Sequence, residues 1–575
     1  MSGSGPRSRS SSASSWCSFH TAPPSPMSPA EEDLDTAPLP QIQKPTQRAR
    51  YRRALPLPDH LLQQCHIYLD EEIYVSALAL LTDLVISGAS QPKSKCPDRP
   101  VIAPLPYHIE MVGAFLIHPQ YTHQALPNGN KDLGSRPITF LRNVLAVLGP
   151  VNANLGEAFS LSVDHDSRPA RRIRKTAAFD DGSSGSDTDG GSKSLGLIVA
   201  NTGRIRNCAR DFWHMVGWAF NCSVKHPRRW KYWKVWLEYM LDVLDVDWAE
   251  RERQDVEDER LHGGEDSSDD GYEFKMRRQS LLVTYLSGAV NSSSTLRRVV
   301  RCAFSDGGKE SLREFPEVFP DETREVKHPK RPRADPTNRC SADHDDEEAE
   351  RIFASPDLTD PRSDACQGGR MRGEVWLGGT ESVALRQRVI NLLSRVAAAL
   401  PDSFADIKDV YREIRLCTWL LPLPAFSLFL SPSPSSHLGE VVFVSLTQTL
   451  LITCLPASAP GPETVAGMFD DELTQPRLEQ CFLPFPSRSA TVADNARVSI
   501  LVESMFRLLT RLGACAYTRS LREAVDRGIR AREESIEADK RRRGRGLGRA
   551  DGDMIWLRAS GLRLSRQVAW MEQKG

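Results

Sequence analysis

Basic and aromatic side chains alternate along Lys225-His226-Pro227-Arg228-Arg229-Trp230-Lys231-Tyr232-Trp233-Lys234-Val235-Trp236. Aromatic rings that stack on bases, set beside cations that meet phosphates, form the surface that holds single-stranded nucleic acid. An arginine over an indole also makes a cation–π pair. Arg228, Arg229, Lys231 and Lys234 are the side chains that would make those contacts. The same stretch supports a different reading. Trp230, Trp233, Leu237, Met240, Leu241, Leu244 and Trp248 recur three and four apart, which is one face of an α-helix. Tyr232, Trp236, Tyr239 and Val243 make a second apolar stripe beside it. Lys231, Lys234, Glu238, Asp242 and Asp245 are left for a polar strip. The spacing therefore predicts the central helix of a core, with nucleic-acid stacking as the alternative.

Two further basic runs stand out. Lys327, Lys330, Arg331 and Arg333 lie in a Pro-rich stretch, and Lys540, Arg541, Arg542 and Arg543 end a charged helical pattern. Short exposed runs of this kind serve as nuclear import signals or nucleic-acid patches. Acidic residues follow serines at kinase-like offsets, with Asp187 after Ser184 and Asp189 after Ser186, and Asp flanks Ser267 as well. These three serines are the phosphorylation candidates. Arg297, Arg298 and Arg301 form a smaller basic group, read as a solvated helix face.

Motifs for catalysis are absent from the sequence. It contains no phosphate-binding loop, dinucleotide fingerprint, H-E-x-x-H, nucleophile elbow or kinase set. The 12 cysteines are dispersed without a C-x-x-C pair, which argues for a reducing compartment and against a zinc site. His214, between Trp213 and Met215, reads as a satisfied core histidine. No catalytic residue, cofactor or metal ligand is assigned, and no small-molecule substrate is identified.

The elements that carry these residues are helical in pattern. Candidate helices cover 60–69, 71–86, 106–116, 137–148, 278–289, 295–304, 381–400, 491–512 and 520–543. Most are punctuated by Pro at the start or by Gly or Pro after the end. Thr491 and Asp494 resemble a capping box with Asp in the usual Glu position. The run from Val441 to Leu455 is too short for the roughly 20 residues of a membrane span, and a buried helix is expected there. The expected fold is mainly α: an irregular α-solenoid or multi-helix bundle in blocks separated by long disordered linkers.

Composition agrees with that division. Among 575 residues, 40% are hydrophobic, and 74 Lys and Arg stand against 75 Asp and Glu for a net charge of −1. The mean hydropathy is −0.40. A polytopic membrane protein, a rod and a uniformly basic coat are all excluded. The near-zero sum hides separate basic and acidic blocks, the mark of solvated interaction segments. The boundaries run as follows: a disordered tail over 1–55, helical block 1 over 56–161, and a basic and acidic-serine insertion over 162–194. Block 2 covers 195–319 with an acidic loop at 250–275, and a linker covers 320–373. Block 3 spans 374–530, and a basic helix and tail fill 531–575. The start of the chain lacks the apolar stretch of a secretory signal. Together these features point to a non-catalytic nuclear scaffold or adaptor that binds other proteins of a chromatin or genome-maintenance complex. A nucleic-acid-binding protein that uses residues 225–236 and the polybasic runs is the rival.

Overall fold

The computed structural model describes residues 51–89, 99–125, 129, 131–161, 199, 203–262, 274–290, 292–324, 376–433, 436–465, 472–543 and 550–574. Among these residues the chain is mainly α. Two-residue strands, β1 (Ala54–Leu55) and β2 (Val101–Ile102), pair in parallel, and the remaining regular structure is helical. The helices are α1 (Asp59–Asp70), α2 (Tyr74–Ala89), α3 (Pro106–Phe115), α4 (Arg136–Val147), α5 (Gly149–Asn152), α6 (Leu155–Ala158), α7 (Ile205–Cys208), α8 (Phe212–Lys225) and α9 (Pro227–His262). They continue with α10 (Lys275–Arg278), α11 (Leu281–Leu286), α12 (Ser293–Cys302), α13 (Lys309–Glu314), α14 (Gly379–Ala399), α15 (Ile407–Trp419), α16 (Leu423–Phe429) and α17 (Glu440–Cys454). The last are α18 (Gln475–Arg477), which runs on into a π-helical turn at Leu478–Phe482, α19 (Val492–Arg511), α20 (Arg519–Arg543) and α21 (Ala550–Lys574).

Residues Ala49–Gly575 form one compact unit with a continuous hydrophobic core from Cys65 to Met571. The centre is α9, 36 residues long, which packs against α4, α5, α8, α10, α11 and α14. Its burial follows the sequence pattern. Trp233, Trp236, Leu237, Tyr239, Met240, Leu241, Val243, Leu244 and Trp248 are all buried, Trp230 and Tyr232 are half-buried, and Lys231 is exposed. A helix with two apolar stripes must be covered on most sides, and here helices from all three sequence blocks cover it. Farther along, α15 leans on α12 and α14, α17 on α15 and α19, and α19 on α21.

Several sequence expectations change. Folded structure begins before residue 56: Arg52 is buried, its N–H donates to the Val147 carbonyl at 2.9 Å, and β1 pairs with β2. The acidic stretch at 250–262 is not a loop but the last turns of α9, since Asp247, Glu250 and Asp255 are buried among partners. The face of α2 is Tyr74, Ala77, Leu78, Leu81 and Val85, and Ile73 is 46% exposed. Glu72 takes a left-handed conformation, φ 56°, so α2 starts after it, at Tyr74 and not at residue 71. Asp406 caps α15 by accepting from the Lys408 N–H at 2.7 Å. Residues 550–574, expected as tail, form α21, with Leu557, Leu564, Val568 and Met571 buried. The 320–373 linker gives up its first residues to the core, because Glu322 is fully buried.

Other expectations are met. Thr491 caps α19, accepting from the Asp494 N–H at 3.2 Å while its own hydroxyl donates to that carboxylate at 2.8 Å. Phe443, Leu446, Leu450 and Leu451 of α17 are buried. Among the described residues, no helix is long and apolar enough to cross a membrane.

Candidate functional site

The basic–aromatic segment is positioned by the α8–α9 corner and by the strand of chain after α13. Gly217 of α8 has no side chain, so the Phe315 ring lies flat against the helix, where a Cβ would overlap it. Asn221 of α8 fixes the same chain, donating to the carbonyls of Ser311 at 3.2 Å and Phe315 at 3.1 Å. These contacts carry Phe319 and Glu322 to the first turn of α9.

There Arg229 is 2% exposed and Glu322 is wholly buried. Arg229 donates to Glu322 Oε1 from Nε at 2.9 Å and from Nη2 at 2.6 Å. Nη2 also reaches the Ile117 carbonyl at 2.5 Å, and Nη1 reaches Thr122 Oγ1 at 2.9 Å and His123 Nδ1 at 3.0 Å. The Trp233 indole N–H donates to the same carboxylate oxygen, and the Phe319 N–H donates to Oε2 at 3.2 Å. A buried ion pair holds only when its remaining donors and lone pairs are met, and this network meets them. Burial, then the Arg229 charge, holds His118 and His123 down to about 4, so both imidazoles are neutral at physiological pH. Neutral His123 can accept from Arg229, as the geometry requires.

Lys234 points the other way. Its ammonium lies 2.8 Å from Glu381 and 3.9 Å from Glu238. About two helical turns on, Arg388 of α14 bridges Asp242 and Asp245 of α9, at 2.8 Å to each. The polar strip of α9 is therefore an inter-helix seam. Of the four residues expected at a nucleic-acid surface, Arg228 and Lys231 are exposed, Lys234 is paired with α14, and Arg229 belongs to the core. Burial removes Arg229 from any phosphate-facing surface, and the rings of Trp233 and Trp236 are covered.

The remaining candidates are placed as follows. Ser184, Ser186, Ser267, Lys327, Lys330, Arg331 and Arg333 lie outside the described residues. Lys540, Arg541, Arg542 and Arg543 form the final helical turn of α20. Arg297, Arg298 and Arg301 are not simply solvated, since they pair with Glu413, Asp211 and Glu314. His214 is a satisfied core residue. Its Nδ1 accepts from the Arg210 N–H at 3.2 Å, and its Nε2 lies 2.9 Å from the Pro316 carbonyl as the donor.

Sequence reasoning missed the carboxylates that organise the structure. Asp255 accepts from the N–H groups of Met276 at 2.8 Å and Arg277 at 3.2 Å, which cap α10. Asp247 accepts from the Leu281 N–H at 2.8 Å at the start of α11. Carboxylates stabilise helix N-termini by meeting orphan N–H groups and the dipole. Arg386 of α14, also fully buried, donates to the carbonyls of Ala303 at 2.8 Å and Ser305 at 2.7 Å, and to Ser382 Oγ at 3.1 Å.

The perturbed thiols carry little nucleophilic character. Burial pushes the thiols of Cys65 and Cys454 up to about 12 and those of Cys417 and Cys515 up to about 11. Reactive cysteines have the opposite shift. Among the described residues, no group of three or more His, Cys, Asp and Glu is arranged to hold a metal ion. No protein-family model matches the chain, and no curated protein matches it.

Proposed function

We propose that this protein is a non-catalytic helical scaffold or adaptor of the nucleus, binding other proteins of a chromatin or genome-maintenance complex. The observation that carries the reading is the fate of the basic–aromatic segment. Its rings and its Arg229 are built into the core, and its Lys234 joins α9 to α14. Residues with the types needed for chemistry are thus used to lock helices together, which gives a large rigid body with charged segments attached. The acidic serines at 184, 186 and 267 are points where kinases would tune partner binding. The polybasic runs at 327–333 and 540–545 are the import signals.

Affinity purification of the full chain from nuclear extract, with mass spectrometry, tests the scaffold role. Recovery of one stoichiometric set of nuclear proteins, resistant to nuclease, is the expected result. Recovery that disappears with nuclease, together with tight and salt-dependent binding of labelled single-stranded DNA or RNA, would favour the nucleic-acid alternative. For localisation, Ala replacement of both runs in a fluorescent fusion should shift signal to the cytoplasm. Unchanged nuclear signal removes the nuclear part of the proposal.

A further inference from the structure

Where α19, α20 and α21 meet, a cavity of about 250 Å³ is lined by Ile529, Leu557, Arg532 and Arg558, with hydroxyls from Ser499 and Ser565. Arg532 is completely buried. Its Nη1 donates to the carbonyls of Leu483 and Phe485, each at 3.2 Å. Its Nε and Nη2 have no partner. Those two nitrogens are the side-on fork of a guanidinium, whose parallel N–H bonds match the two oxygens of a carboxylate. Elsewhere this protein fills the same fork with a carboxylate. Arg206 grips Glu110 from Nε at 2.8 Å and from Nη2 at 2.7 Å. Arg563 grips Glu503 the same way at 2.5 and 2.8 Å, and Arg253 grips Glu250 at 3.1 and 2.7 Å.

A buried guanidinium with three of its five N–H donors idle is costly unless something answers it. Burial lowers the Arg532 affinity for its proton, to about 10, and Glu533 offsets this in part. The group therefore stays charged at neutral pH. Glu533 and Arg558 also line the cavity, and both are exposed. Two arginines against one glutamate leave a single net positive charge, suited to a monoanion rather than a dianion. The walls offered by Ile529 and Leu557 suit an apolar body.

We propose that this cavity binds a small organic monocarboxylate, its charged end on the Nε–Nη2 fork of Arg532 and its apolar body against Ile529 and Leu557. Both fork nitrogens are shielded from water, so a carboxylate that meets them does so at low local dielectric, where the hydrogen bonds are strong.

Isothermal titration of the full chain with sodium benzoate tests the site, with inorganic phosphate titrated in parallel at matched ionic strength. Saturable binding of benzoate, with phosphate much weaker, is the expected result. Arg532→Met should weaken benzoate by about tenfold to a hundredfold, the range of a lost hydrogen bond to a charged group. Because that variant removes a buried side chain and can fail to fold, Ser565→Phe provides the second arm. Residue 565 is only half-buried, so a phenyl group there closes the cavity while the thermal melt stays that of the parent. Benzoate binding should then be lost. Absence of saturable binding, equal affinity for phosphate, or full affinity in Ser565→Phe would each overturn the proposal.

Discussion

Arg229 and Arg386 are both fully desolvated guanidiniums, and the two regions answer them differently. At the foot of α9, Arg229 meets a buried carboxylate, Glu322, that is itself held by Trp233 and the Phe319 N–H. At the α8–α12–α14 junction, Arg386 meets neutral oxygens and a ring, with Phe220 4.3 Å from its guanidinium. Ala303 and Ser305 follow the end of α12, where carbonyls lack intrahelical donors and the dipole is negative. A helix terminus thus substitutes for a carboxylate, but not fully. Burial pushes Arg386 down to about 9, and the Asp306 charge nearby offsets only part of that. The first region is a charge-compensated lock, and the second is a staple that satisfies hydrogen bonds between sequence blocks.

The comparison breaks most readily at Glu322. Glu322→Gln keeps the shape and removes the charge, so it should cost about 3–5 kcal/mol, the range for stranding one partner of a buried pair. Urea unfolding measures this. The double change Arg229→Met with Glu322→Leu should recover most of the loss. A double variant as unstable as the single would show that shape, not charge, dominates there.

The staple should be weaker. Arg386→Met leaves the Ala303 and Ser305 carbonyls without their donor, at about 1–3 kcal/mol, again read by urea unfolding. A loss matching that of Glu322→Gln would erase the distinction between the two regions.

Acid sharpens the contrast. His118 ordinarily titrates near 6.5 and is held to about 4 in the folded chain, first by burial and then by Arg229. Below pH 6.5 the unfolded chain takes up a proton that the folded chain refuses. Stability is therefore complete above about pH 6.5 and falls as the pH drops toward 4. For His118 the slope is at most about 1.4 kcal/mol per pH unit. His123 sits closer to solvent and adds less, because water screens it. Unfolding at pH 7, 5.5 and 4.5 should show the slope, and His118→Gln should reduce it, leaving the part that His108 and His123 contribute.

The smallest effect is expected at Lys231. It is exposed on the strip of α9, and Lys231→Ala should change stability by no more than about 0.5 kcal/mol. A larger thermal shift would mean that the register of α9 differs from the one described.

The same two regions show what a sequence can disclose. The faces of α9 were legible because a helix repeats its environment every three or four residues, and Trp233, Leu237, Met240 and Leu244 obey that period. The Thr491–Asp494 cap was legible because both partners lie within one turn. Glu322 was not, since its partner Arg229 is 93 positions away and nothing local distinguishes it from the acidic residues beside it. The α21 stripe of Met554, Leu557, Gly561, Leu564, Val568 and Met571 does keep helical spacing. It was hidden by a glycine at one core position and by the charged residues around it. The Arg532 cavity depends on three helices and on carbonyls from a fourth segment, and no single stretch encodes it.

Asp247 and Asp255 have a practical consequence. Because these carboxylates of α9 hold the first N–H groups of α10 and α11, the returning chain is anchored by side chains and not by the length of residues 263–273. Lengthening such a connection costs only about 0.6 kcal/mol for each doubling. The position is therefore a port for a genetically encoded reporter, where an inserted epitope or fluorophore would be displayed at the tip of the longest helix without disturbing the core.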